Sequence, residues 1–404
     1  MSGSHGAHGH GDELQLPTVS RRALTIAVAA AAVLTLIGLI ALRPTGGDER
    51  DSFDELGFPN QFYDGVIEGI RNCPGIDPLD CQLIDVRMVA GPDDGEVVTV
   101  EALILDASIG ERVVMSFDPN PDLPEEFRYR LSDRARKPVL TWLAIIFGVA
   151  VVALGKWRGV SALLGLGASL IVLIAFTVPS IVDGRPPVLV AAVSASAIAF
   201  AALYLTHGIG AMSTVALFGT LGALLLALVV GTVAVELARF SGLGSEEAEF
   251  LRVLAPGLNL QGLVLAGLVI GALGAIDDVT VTQASVVFEL KSSNPDASVR
   301  DLVRSGMRVG RDHIASTVNT LALAYAGASL PLVILLVEAD QSLGTVANSE
   351  VVAVEIVRTF VGGLALVAAV PLTTWLAALV ASDASTDEQP DDFDDLRRAL
   401  DTDD

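Results

Sequence analysis

The sequence predicts an all-α polytopic membrane protein of about eight transmembrane helices, carrying a small β-rich, barrel-like extracytoplasmic domain. Three observations point there. The 404 residues are 52% hydrophobic with a mean hydropathy of +0.59, more than a soluble chain of this size carries. Apolar runs of about 20 residues, nearly free of charge, recur along the chain, and that is the length a helix needs to cross about 30 Å of hydrocarbon. Between the first and second runs the material changes: residues 44–137 alternate apolar and polar, rich in Val and Ile and broken by Gly, Pro and Asp.

Residues 1–20 are polar, with His5, His8 and His10 among glycines. Such spacing can hold a metal weakly, but a disordered cytosolic tail is the plainer reading. Residues 24–42 form the first apolar run, preceded by Arg21 and Arg22. A secretory signal peptide competes. The run is long, shows no small-residue cleavage site and is followed by Arg43 and Pro44, so residues 21–43 read as a retained anchor.

In residues 44–137, segments 62–70, 82–90, 96–105, 111–117 and 127–131 read as short strands. Gly91-Pro92-Asp93-Asp94-Gly95 is the hairpin loop between the second and third. Five short strands suggest a small barrel of the oligonucleotide-binding type, a shape that does not imply nucleic acid. Both cysteines of the chain, Cys73 and Cys81, lie here with no His or third Cys close enough in sequence to complete a zinc site. A disulfide on the oxidising side of the membrane is the economical reading, and two free thiols are the alternative.

Residues 138–380 read as a seven-helix membrane domain with spans at 138–155, 159–182, 187–206, 209–234, 259–276, 313–337 and 357–380. Basic residues near span ends place both termini in the cytosol and the cysteine-containing domain outside. The localisation expected is therefore the plasma membrane, multi-pass. Arg300, Arg304, Arg308 and Arg311 recur every three or four residues in 297–311, opposite Val299, Leu302, Val303 and Met307. That is a basic amphipathic helix suited to the anionic inner leaflet, with an ordinary cytosolic loop helix as the alternative. Residues 381–404 form an acidic tail expected to be disordered.

Chemistry concentrates in two polar stripes. On one helix Asp278, Thr282, Ser285 and Glu289 share a face, with Asp277 and Gln283 beside them. Residues 262–276 alone are too short to span, so either the span continues through Asp277 and Asp278 or a broken helix re-enters the membrane. The second stripe is Asp312, His313, Ser316, Thr317, Asn319 and Thr320. Carboxylates facing an imidazole and amides make a cation or proton site. The plainer alternative is that the acids end or cap spans at the headgroups. We expect Asp277, Asp278, Thr282, Gln283, Ser285, Asp312, His313, Thr317 and Asn319 to bind a substrate or ion. The sequence leaves the metal, if any, undefined.

Other classes are excluded or disfavoured. The net charge of −23, from 25 Lys+Arg against 48 Asp+Glu, argues against a nucleic-acid partner. No GxxxxGK[ST] marks an ATPase and no HExxH marks a zinc protease, so neither an enzyme nor a cofactor is expected.

Residues 274–285 (GAIDDVTVTQAS) followed by 310–320 (GRDHIASTVNT) resemble the YibE/F family of bacterial multi-pass membrane proteins, in its actinobacterial form. Residues 245–248 (SEEA), 324–331 (AYAGASLP), 348–350 (NSE) and 355–358 (EIVR) agree, and the resemblance covers roughly 61–380. It implies a polytopic permease and supplies no substrate. The expectation is an ATP-independent permease whose partners are the lipid bilayer and a small-molecule or ion substrate, with a homo-oligomer allowed. A non-transporting sensor or scaffold, whose external domain binds an envelope ligand, is the alternative.

Overall fold

A computed structural model of the chain describes residues 18–45, 61–73, 81–102, 107–120, 123–338 and 341–383. The histidines at 5, 8 and 10, the end of the expected third strand and the tail beyond 383 lie outside the described residues. The chain divides into two compact units, one of residues 46–159 and one of residues 1–45 with 160–404.

Helix α1 (Thr18–Ala41) belongs to the second unit. The first unit holds strands β1 (Gln61–Asn72), β2 (Gln82–Met88), β3 (Val97–Ala102), β4 (Arg112–Phe117) and β5 (Tyr129–Arg134). They pair antiparallel in the order β3-β2-β1-β4-β5. The sheet curls until its edge strands β3 and β5 come together. Irregular register in β1 between Ile67 and Gly69, and in β4 between Val114 and Met115, adds local twist. Alternation sorts the faces: Ile84, Val86 and Met88 of β2 are buried, while Asp85 and Arg87 point outward to Arg71 and Glu68.

The loop between β2 and β3 turns through Gly91 and Gly95, whose φ values of 104° and 86° suit glycine. The Tyr63 ring stands 2.8 Å from where a Cβ on Gly91 would be. The Tyr129 hydroxyl donates to Asp93 Oδ2 at 2.7 Å and ties this loop to β5. Burial first, and then the Asp93 carboxylate, push the Tyr129 phenol well above the usual range. Cys73 and Cys81 form a disulfide joining the end of β1 to the start of β2, so the free-thiol reading falls.

A single turn, α2 (Glu125–Arg128), precedes β5, and α3 (Lys137–Val172) follows it. Lys156 leaves the helical region at φ 51°, ψ −127°. A Cβ on Gly159 would collide with the Val151 carbonyl oxygen. In a straight helix those residues would be about 12 Å apart, so the chain doubles back at Lys156. A wide turn, Leu173–Thr177, and α4 (Val178–Val182) end the segment.

The helical unit continues with α5 (Pro187–His207), α6 (Ala211–Leu237), α7 (Glu246–Leu254), α8 (Leu260–Ser293), α9 (Val299–Ala328), α10 (Leu330–Glu338), α11 (Leu343–Asn348) and α12 (Glu350–Asp383). Among the described residues six helices are long and apolar enough to cross a membrane: Arg22–Ala41, Lys137–Val182, Pro187–His207, Ala211–Leu237, Leu260–Ser293 and Glu350–Asp383. The pair α9 and α10, bent by 60°, passes the same test together. The expected spans 138–155 and 159–182 thus lie within one 46-residue stretch. At 1.5 Å per residue it would be about 69 Å long, more than twice the hydrocarbon thickness.

Two expectations change. The span expected at 259–276 does not stop before Asp277; α8 is one helix to Ser293. Its side chains pack against α5, α6 and α12 well past that point, which favours continuation. The surface helix expected at 297–311 and the span expected at 313–337 are not separate either. They join in α9, and the break comes instead at Ser329. Ser298 caps α9, its hydroxyl accepting from the Asp301 amide, and Lys291 closes the preceding turn by donating to the Pro295 and Ala297 carbonyls.

Small residues set the helix spacing. Gly231 of α6 lies against Leu265 and Leu268 of α8, and Gly222 against Leu372 of α12. Helix α1 packs on α5, with Gly38 against Val193 and Thr35 Oγ1 at 2.7 Å from Ser196 Oγ.

Candidate functional site

Helices α8, α9 and α12 meet around a small apolar cluster. Val279, Leu366 and Val370 are its buried centre, with Ala275, Met307, Ile314 and Val318 packed on it. Asp277 and His313 border this cluster in sequence, and each stands at the midpoint of its own helix. The depth of this level follows from α6. Thr220 Oγ1 lies 2.7 Å from Thr280 Oγ1, three residues beyond Asp277. Helix α6 is apolar along nearly its whole length, and Thr220 is the tenth of its 27 residues.

Asp277 Oδ1 and His313 Nε2 are buried, and neither has a hydrogen-bond partner among the described residues. An orphaned polar atom between membrane helices is costly, because no water or lipid headgroup is there to satisfy it. Asp277 lies in mid-helix and ends no helix.

The other predicted residues divide. Asp278, Ser285 and Glu289 are exposed on one face of α8 and Thr282 is half-buried there, as the period requires. Gln283 is buried and occupied: its Nε2 donates to the Gly306 carbonyl at 2.9 Å and to Thr374 Oγ1 at 2.7 Å. On α9, Thr317 is half-buried beside His313 and donates to the His313 carbonyl. Asp312 and Asn319 lie on the exposed face of the same helix. Asp277, His313 and Thr317 are thus half-buried, while Asp312 and Asn319 are exposed. Arg300, Arg304, Arg308 and Arg311 are all exposed along the first half of α9.

Sequence reasoning missed the hydroxyl and glycine partners. Thr220, Thr280 and Thr374 tie α6, α8 and α12 together. Gly306 and Gly310 let α9 approach Gln283, Thr374 and Val370. The four-residue glycine spacing was the available signal. A second cluster joins α12 to α8 and α9: Arg358 donates to Glu355, three residues before it, at 2.6 Å, and stands over the Tyr325 ring, 5.8 Å from its centroid, the contact with Tyr325 being the part the sequence did not signal.

Among the described residues no group of three or more His, Cys, Asp or Glu could hold a metal ion. A carboxylate and an imidazole within a helix bundle are groups that can carry a proton or bind a small cation.

A sequence profile of the family described as YibE/F-like protein matches residues 143–383, more than half of the chain and all of this site. No curated protein matches the chain, and no solved structure does.

Proposed function

The chain belongs to the YibE/F family, and from that premise we propose that it is an ATP-independent permease for a small solute or ion. The observation that carries this reading is two orphaned atoms, Asp277 Oδ1 and His313 Nε2, each at mid-length of a long helix of the bundle. A buried ionisable group without a partner is retained against its cost where function needs it. In this reading Asp277 binds a coupling proton or cation, His313 completes its coordination, and Asp278 and Ser285 line the approach. The protein sits in the plasma membrane with eight spans, the reversal at Lys156 dividing residues 137–182 into two. Both termini are cytosolic, the curled sheet is extracytoplasmic, and Arg300, Arg304, Arg308 and Arg311 rest on the inner leaflet.

The test is a thermal-stability screen of the full-length protein in detergent with Li⁺, Na⁺, K⁺, Mg²⁺ and Ca²⁺ from pH 5 to 8. A bound cation at a hundredfold excess over Kd stabilises the fold by about 2.7 kcal/mol. Asp277→Leu should abolish that shift and raise the baseline stability by about 1–3 kcal/mol, because it removes an unsatisfied buried polar group. A shift that survives Asp277→Leu, or a variant less stable than wild type, would refute the assignment.

A further inference from the structure

We propose that Arg358, Tyr325 and the bare backbone of Gly267 and Gly271 form an anion site that takes a carboxylate or phosphate group. Arg358 stays charged in any environment, and it lies inside a helix that is otherwise long and apolar enough to span. Among the described residues only one of its N–H groups is hydrogen-bonded, Nη1 to Glu355 Oε1. Its Nε is buried with no partner. Its Nη2 lies 3.7 Å from where a Cβ on Gly267 would stand. The Tyr325 hydroxyl is 3.0 Å from the corresponding point at Gly271.

Gly267 and Gly271 are both exposed. One helical turn apart, they let a guanidinium and a phenol come close against the exposed backbone of α8, two donors that suit an oxyanion. The guanidinium fork matches the planar oxygens of a carboxylate and two oxygens of a phosphate. Glu355 fills part of this role within the chain. Its carboxylate holds Nη1 and leaves Nη2 and the buried Nε without a bond among the described residues, so an arriving anion competes with it for the guanidinium's charge. Glycines 267, 271 and 274 and then Asp278 follow one another on the same exposed face of α8. The anion site and the acidic level thus open onto one surface, about 17 Å apart along the helix.

The source of the anion is either a free solute or a lipid headgroup, and two arms separate them. Full-length protein is placed in nanodiscs of phosphatidylcholine alone, and binding of radiolabelled inorganic phosphate and of succinate is measured. Saturable binding is expected. Arg358→Gln should weaken it at least tenfold, and Arg358→Lys should recover only part, since an ammonium lacks the fork. Glu355→Gln should tighten it several-fold by removing the competitor. Gly271→Leu should block it by covering the exposed backbone. Thermal melts of each variant show whether it is folded, and Tyr325→Phe, which keeps the ring, provides a mild variant expected to bind several-fold more weakly.

In the second arm, native mass spectrometry is run after incubation with phosphatidylglycerol. Lipid retained by wild type and lost in Arg358→Gln, with no free-anion binding, identifies the headgroup as the ligand. The proposal is overturned if wild type binds neither free anion nor retains the lipid. It is equally overturned if Arg358→Gln binds as wild type does, or if Glu355→Gln, folded, weakens binding. These readouts need no flux, so they stand or fall apart from the permease reading.

Discussion

In the curled sheet, Arg71 and Asp85 meet at 2.6 Å with the arginine side chain 59% exposed, and Arg87 and Glu68 pair beside them in the open. In the helical unit the amide of Gln283 is 3% exposed and spends both N–H donors on neighbouring helices. Water satisfies polar groups in the first region, and protein must do so in the second. The same contrast recurs within the helical unit. The level of Gln283 is paired to Gly306 and Thr374, whereas six residues earlier Asp277 Oδ1 has no partner. In the bundle a paired polar group holds helices together.

The strongest way to break this contrast is to push α9 off the paired level. A Cβ at Gly310 would collide with Val370 and stand 2.9 Å from Gln283 Oε1. Gly310→Leu should cost about 3 kcal/mol or more, read as a lowered melting temperature in detergent. The sheet's counterpart is its disulfide. Replacing Cys73 and Cys81 by Ser should cost the sheet about 2–3 kcal/mol through the freed unfolded chain. Hydrogen exchange in the full-length protein should show lost protection over 61–134 and none over α8.

Next, Gln283→Leu removes two interhelical hydrogen bonds. Such bonds in membranes average about 0.6 kcal/mol and reach about 1.7, so a loss of about 1–3 kcal/mol is expected. The sign is opposite to that of Asp277→Leu, and measuring both variants side by side sharpens the comparison. Two destabilised variants would erase the distinction between the levels.

The smallest effect is in water. Hydrogen bonds from Arg71 and then from Thr99 hold the Asp85 carboxyl below its usual range. Its folded pKa is lower than its unfolded one, so its stabilising contribution is complete above about pH 4. It is lost as pH falls through the folded value. Because the pair is solvent-screened, less than about 1 kcal/mol is involved. Protection factors in β2 should fall slightly below pH 4, and Arg71→Ala should remove that dependence.

Much of this was legible in the sequence. Run length and composition predicted α5, α6 and α12 to within a few residues at most ends, because a span needs an uninterrupted apolar helix and little else. Period-two alternation and the Gly91–Gly95 loop predicted the strands. The errors cluster where polar residues enter a helix. Asp277, Asp278 and the arginines of α9 look like boundaries by hydropathy, but the backbone continues through them because its hydrogen bonds are internal and neighbouring helices cover the turns.

The sequence by itself determined that the chain is a helical membrane protein with a small β unit, and it singled out the segments where chemistry sits. Those are one-dimensional properties, set by length, charge and period. Only the tertiary structure decided that Gln283 is spoken for and that Asp277 Oδ1 has no partner among the described residues, and that His313 is half-buried while Asp312 is exposed. It also decided that Arg358, Tyr325 and two glycines converge from three helices. The period places residues on a face, but which face meets a neighbour, and which polar atom finds a partner there, depends on how distant helices pack.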